Sequence, residues 1–190
     1  MWMAELCLIR HGQTDWNVRG VYQGHTDITL NETGILQGHK LADTLLLEKF
    51  DAIFSSDLQR AYQTAVILAE ALALPVQVDQ RLREICQGEW EGQTVAVVRE
   101  KYAAHFEAEK LDMEHARAPG GESVVEVAER MRAAADEITT MYHGKRVVVV
   151  SHGLALATLI CQAQGISLAE VYNHIPDNGQ PRYITWQNSV

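Results

Sequence analysis

Arg146-Val147-Val148-Val149-Val150-Ser151-His152-Gly153 is the stretch on which the fold turns. Four consecutive β-branched residues with no polar alternation describe a strand covered on both faces, the habit of parallel sheets sandwiched between helix layers. Gly153 then opens an apolar helical run over 154–163. The same order of strand, polar junction and helix recurs twice upstream. The apolar run 4–9 ends in Arg10-His11-Gly12, where glycine allows a sharp turn. The short strand 51–55 ends in Ser55-Ser56-Asp57. A helix follows with Leu58, Ala61, Ala65, Leu68 and Leu72 on one face until Pro75 closes it, so Arg60 falls in its first turn.

Strands alternating with helices predict an α/β fold: a three-layer α/β/α sandwich with a mostly parallel central sheet and helices on both faces. Ligands of such sheets bind beyond the carboxyl ends of the strands. Arg10, His11, Arg60 and His152 are therefore expected on one rim.

The remaining segments fill in around that frame. Residues 16–29 read as a loop carrying Asn17, Gln23 and Gly24, and Asn31 caps a helix over 32–50 with Ile35, Leu41, Leu45 and Leu46 on its apolar face. Residues 75–82 read as a further strand, and 83–92, with Glu84, as an ordered loop. A helix over 95–106 and the polar stretch up to the turn Pro119-Gly120-Gly121 suggest a lid-like segment at about 93–118. Ser123 and Glu126 form a capping box for a helix whose buried face is Val127, Met131, Ala134 and Ile138. Ser167 can cap a brief helix, and 182–186 alternates as an outer strand does.

At 190 residues and 47% hydrophobic composition, one domain over 1–190 is expected. The net charge of −9 argues against nucleic-acid or anionic-membrane partners, whose binding rests on clustered Lys and Arg. No apolar stretch approaches the roughly 20 residues of a membrane span, and the amino terminus lacks a signal pattern, so a cytoplasmic protein is expected. Cys7, Cys86 and Cys161 are scattered and odd in number, which reads as small hydrophobes rather than disulfides. His25, His39, His105, His115, His143 and His174 read as ordinary surface or loop residues, and Trp16 and Trp90 as packing.

Two arginines and two histidines on one rim suit phosphoryl transfer, in which charge spreads over three equatorial oxygens and catalysis is mostly positioning and electrostatic stabilisation. Arginine stays charged and presents a planar fork matched to phosphate. A neutral imidazole can then attack in line, although spacing alone does not separate His11 from His152. A metal site built from His11, His152, Asp57 and Glu84 is the competing chemistry; two arginines at the same rim would repel a divalent ion. No metal and no cofactor are expected.

These segments resemble the histidine phosphatase superfamily in its phosphoglycerate-mutase-like branch. The likeness rests on Arg10-His11-Gly12 with Asn17, on the block from Ser55 to Ala65, and on Glu84 with Gly88 and Trp90-Glu91-Gly92. It continues through Pro119-Gly120-Gly121-Glu122-Ser123 and Ser151-His152-Gly153. It implies that His11 is the nucleophile, Glu84 the proton donor, and Arg10, Arg60 and His152 the remaining catalytic groups. It also implies a phosphate pocket of Arg10, Asn17, Gln23, Gly24, Arg60 and Gly153. Family mutases carry adjacent arginines in a longer insertion after the acid. Here 93–118 scatters Arg99, Lys101, Lys110 and Arg117 among carboxylates. The expectation is a hydrolase of small phosphomonoesters such as phosphoserine, ribazole phosphate or sugar phosphates, in a chain that can form a homodimer. The alternative is a cofactor-dependent phosphoglycerate mutase. A non-catalytic phospholigand-binding protein would have lost its nucleophile or acid, and neither is lost.

Overall fold

A computed structural model describes residues 2–109 and 112–188, so Lys110, part of the lid-like segment, lies outside the described residues. Five strands form one sheet in the order β3-β2-β4-β1-β5, with β1 Met3–Arg10, β2 Ala52–Ser55, β3 Val76–Val78, β4 Arg146–Ser151 and β5 Pro181–Gln187. The valine strand is central, as expected. It runs parallel to β1, with Glu5 opposite Arg146 and Arg10 opposite Ser151, and parallel to β2. Only β5, on the far edge of β1, is antiparallel.

The period of two along a strand divides the sheet into two cores. Leu6, Leu8, Val147, Val149, Ala52 and Phe54 pack beneath helices α6 (Val124–Met141) and α7 (Gly153–Gln164). Cys7, Ile9, Val148, Val150 and Ile53 pack against α2 (Glu32–Leu45) and α3 (Gln59–Leu72) on the other face. All four valines are consequently at most 1% exposed.

Three expectations needed correction. First, 16–29 is not wholly loop: Asp15–Arg19 is a short helix, α1, begun by a reciprocal cap between Thr14 and Asn17. Second, α2 ends at Leu45, and Ile35 and Leu46 are 43% and 53% exposed. Its buried face is Gly34, Gly38, Leu41, Ala42 and Leu45, because the glycines allow close approach: a Cβ on Gly38 would sit 2.9 Å from Ile67 Cδ1 of α3. Glycine carries no hydrophobic signal, so the period was read on the wrong residues. Third, the strand at 75–82 is only Val76–Val78 before a 3₁₀ turn, and the 95–106 helix is two helices, α4 (Val95–Lys101) and α5 (Ala103–Glu109), broken at Tyr102. The caps at Asn31, Ser123 and Ser167 are present.

Beside the rim, Trp90, Val98 and Ala118 form a small separate core with Tyr22, Tyr102 and Phe106 against it. Among the described residues, no single helix is long and apolar enough to cross a membrane.

Candidate active site

The site begins where β1 runs out. His11 is 3% exposed, and its Nδ1 lies 2.7 Å from the Gly12 carbonyl. A carbonyl only accepts, so Nδ1 carries the hydrogen and the neutral ring keeps its lone pair on Nε2. Burial, then the Arg60 charge, push the His11 pKa well below the ordinary imidazole value; Arg10 adds to this and the Gly12 bond opposes it. Position 12 must be glycine, since a Cβ there would lie 2.5 Å from the Gly34 carbonyl oxygen. The Gly12 amide donates to Thr64 Oγ1 (3.0 Å), which donates to the Arg60 carbonyl (2.8 Å), tying the end of β1 to α3.

Arg60 is fully buried, as few arginines are. It donates to two carbonyls, Gly24 at 2.7 Å and Thr26 at 2.9 Å, while its Nε has no partner. Among the described residues no carboxylate forms an ion pair with it, and burial lowers its pKa to about 10 despite the more distant charges of Glu84, Asp27 and Glu91. Arg10 donates to the Pro176 carbonyl (3.0 Å), its Nε is likewise unpartnered, and burial again lowers its pKa. The buried Arg60 and the partly buried Arg10, both held by carbonyls, form a cationic cradle in which neither makes an ion pair among the described residues.

His152 caps α7. Its Nε2 is 2.9 Å from Ser56 Oγ, its Nδ1 is buried without a partner, and its ring meets that of His11 at 5.2 Å between centroids. Burial, then Arg60 and His11, lower its pKa well below the ordinary value. The Glu84 carboxylate accepts from three backbone N–H groups, Ile85 (3.0 Å), Ala155 (3.1 Å) and Leu154 (3.2 Å), and so sits on the amino terminus of α7.

A 350 Å³ cavity brings these groups together, lined by Arg10, His11, Asn17, Gln23, Gly24, Arg60, Glu84 and Gly153 among others. Every expected site residue except His152 therefore lines the cavity, and the His152 ring, with its unpartnered Nδ1, lies 5.2 Å from that of His11. Asn17 Oδ1 is occupied by the Thr14 amide and hydroxyl, leaving its N–H groups as the donors an oxyanion needs. Asp57 neither caps α3 nor belongs to a metal set. It forms a two-pronged pair with Arg83 (2.7 and 2.5 Å), and Asp27 accepts from the Gln59 amide at the start of α3 instead. Among the described residues, no group of three His, Cys, Asp or Glu side chains is placed to hold a metal ion.

Sequence reasoning missed the groups that hold these loops in register. Glu91 accepts from the amides of His25, Thr26 and Gln87 (2.9, 2.9 and 3.0 Å), joining the loop that carries the Arg60 acceptors to the loop that carries Glu84. The Glu84 carbonyl accepts from His25 Nε2 (2.8 Å) and Arg130 Nη2 (2.9 Å). Arg130 also donates to both oxygens of Glu122, one of which accepts in addition from the Cys86 amide. Although burial works to raise it, Arg130 holds the Glu122 pKa below the usual carboxylate range. Glu122 stands inside a quoted motif, but nothing in the helical pattern of α6 singles out Arg130.

The geometry has company among known proteins. The family model "Histidine phosphatase superfamily (branch 1)" matches residues 6–189. The chain belongs to the histidine phosphatase superfamily. Phosphoserine phosphatase 1 of Hydrogenobacter thermophilus is 36% identical over 176 residues, 93% of this chain and 83% of that protein. A probable phosphoglycerate mutase of Yersinia pestis is 37% identical over 164 residues, 86% and 76% of the two chains. The structure of a mycobacterial glucosyl-3-phosphoglycerate phosphatase with VO3 superposes with a TM-score of 0.85 at 34% identity, covering 96% of this chain and 90% of that one. As a histidine phosphatase, the chain is an enzyme whose relatives act as phosphatases, with a mutase among them.

Proposed function

We propose that the enzyme hydrolyses small phosphomonoesters through a phosphohistidine at His11. The observation that carries this is the tautomer: Nδ1–H is engaged with Gly12, leaving the Nε2 lone pair in a cavity shared by two arginines whose hydrogen bonds, among the described residues, go to carbonyls. The phosphoryl group supplies the counter-charge, with Arg10, Arg60 and the amide of Asn17 on its oxygens and His152 Nδ1 as a further donor. His11 Nε2 attacks phosphorus as the ester P–O bond breaks, and protonated Glu84 gives its proton to the leaving oxygen. The Glu84 carboxylate then takes a proton from water, whose oxygen attacks phosphorus, breaks the P–N bond and releases inorganic phosphate. Gln23, Gly24 and Gly153 shape the phosphate pocket.

The reaction on this reading requires no metal, because the guanidiniums do the charge stabilisation. The chain works as one domain whose segment 93–118 is its lid, in the cytoplasm, and a homodimer is the assembly to look for by light scattering. Hydrolase activity is favoured over mutase activity by the leaving-group side, where, among the described residues, the cavity walls carry Arg99 but no pair of adjacent arginines for a second acidic group. Labelled substrate with an alkaline quench should trap phosphohistidine, His11→Ala should abolish it, and activity should survive EDTA. Label retained in His11→Ala with turnover intact would overturn the assignment. Interconversion of 2- and 3-phosphoglycerate well above phosphate release would make the enzyme a mutase.

A further inference from the structure

The phosphate cavity continues into a second one. This neighbour, of 480 Å³, shares Tyr22, Gln87 and Tyr172 with it; the rest of its wall is Trp90, Ala103, Phe106 and Met113, with the charged pair Arg99 and Glu107 on one side. Its aromatic wall is organised: Trp90 stacks on Phe106 at 5.1 Å and 25°, and tilts against Tyr22 at 5.5 Å. A phosphomonoester whose phosphorus lies between His11, Arg10 and Arg60 must send its alcohol portion outward, and the shared residues lead into this chamber.

The wall chemistry decides what fits there. Arg10 and Arg60 are committed to the phosphoryl oxygens, and among the described residues the one other arginine on either lining, Arg99, is exposed and shares its wall with Glu107. A carboxylate or ammonium group entering the chamber would lose hydration against rings and a thioether with little to replace it. A planar apolar group would remove its own surface and the exposed part of Phe106 and Met113 from water, with offset or edge contacts available on the ring wall that Trp90 backs. The volume lies within the range that encloses a molecule of ring size or larger.

We propose that this chamber is the leaving-group subsite and that it selects monophosphates of alcohols bearing an aromatic or comparably planar apolar group over small hydroxy-acid phosphates. The assignment rests on the hydrolase reading for turnover, and its binding part can be read separately. Two measurements on the intact chain test it. In the first, 2-phenylethyl phosphate, propyl phosphate and O-phosphoserine are compared, all esters of primary alcohols. The kcat/KM for the phenylethyl ester should exceed that for each of the others at least tenfold, about 1.4 kcal/mol, mainly through KM. In the second, calorimetric binding of 2-phenylethylphosphonate against propylphosphonate, neither of them hydrolysable, should show a similar preference. Met113→Glu and Phe106→Ala should each bring the phenylethyl-to-propyl ratio towards one; Met113→Glu does so without removing the ring stacked on Trp90. Equal values for the phenylethyl and propyl compounds, a preference for phosphoserine, or ratios unmoved in both variants would overturn the proposal. Tighter phenylethylphosphonate binding with no phosphate release from any ester would support the chamber and refute the hydrolase reading.

Discussion

The paired strands β1 and β4 carry arginines at both ends, and the two ends treat them oppositely. At the amino end Arg146 pairs with Glu5 across the ladder and with Glu48 at 2.5 Å, and its guanidinium lies over the Phe50 ring at 4.9 Å. Hydrogen bonds from Glu48, then Glu5, raise its pKa. At the carboxyl end the hydrogen bonds of Arg10 and Arg60 go to carbonyls, and burial lowers their pKa against the more distant carboxylates. A half-exposed cation with two carboxylates is a finished structural contact. A buried cation held by carbonyls is an unfinished one, and it gains most from a dianion brought in from solution. The difference separates a clamp from a binding site on the same pair of strands.

The largest effect that would break this comparison is functional. Arg60→Met should lower kcat/KM for any phosphomonoester by about 10³-fold or more, in keeping with the worth of an arginine on a transferring phosphoryl group. The melting temperature should hold or rise, because a buried charge without a carboxylate is removed. A marked fall in melting temperature would mean that Arg60 is chiefly a structural clamp, like Arg146.

A second test sharpens the contrast through pH. His11 and His152 have pKa values depressed in the folded state, so above about pH 6.5 they are neutral in both states and stability is unaffected. Below about 6.5 the unfolded chain takes up their protons and the folded chain does not, so stability falls with pH until the folded pKa is reached. Stability should therefore fall as the pH is lowered from 7 to 5, and nitrogen NMR should show both rings still neutral at pH 6. Saturating inorganic phosphate should offset part of the loss by binding only the folded state. Imidazolium signals from His11 at pH 6 without ligand would contradict the burial argument.

The smallest effect lies at the amino end. Arg146→Met should leave kcat/KM within about twofold and lower stability by about 1 kcal/mol, since its pairs are partly exposed and exposed pairs are weak. Loss of activity on this change would mean that the two ends of the strands are coupled rather than independent.

Legibility in the sequence followed the same division. The valine strand and the placement of Arg60 in the first turn of α3 are readable because each follows a local rule of pattern, whereas Gly12 is required by a distant contact, the Gly34 carbonyl 2.5 Å from where its Cβ would lie. The exposed Ile35 and Leu46 were misread because the contact face of α2 is made by Gly34 and Gly38. In the sequence His25 reads as an ordinary loop histidine, yet its ring donates to the Glu84 carbonyl from 59 positions away. Arg130, 46 positions from Glu84, was equally silent. Side-chain bonds to distant carbonyls have no period and no neighbouring partner, so no window along the chain registers them.

The sequence by itself therefore determined the α/β alternation, the valine-rich strand covered on both faces, and the gathering of Arg10, His11, Arg60 and His152 at one rim. These follow from strand period, turn chemistry and the rule that parallel strands deliver their junctions to the same edge. Only the tertiary structure decided which nitrogen of His11 is left bare, that Arg60 has carbonyls rather than a carboxylate, and that the cavity extends into an aromatic chamber. Each of those depends on atoms brought within bonding distance from segments far apart in the chain, and burial then sets what their charges and lone pairs can do.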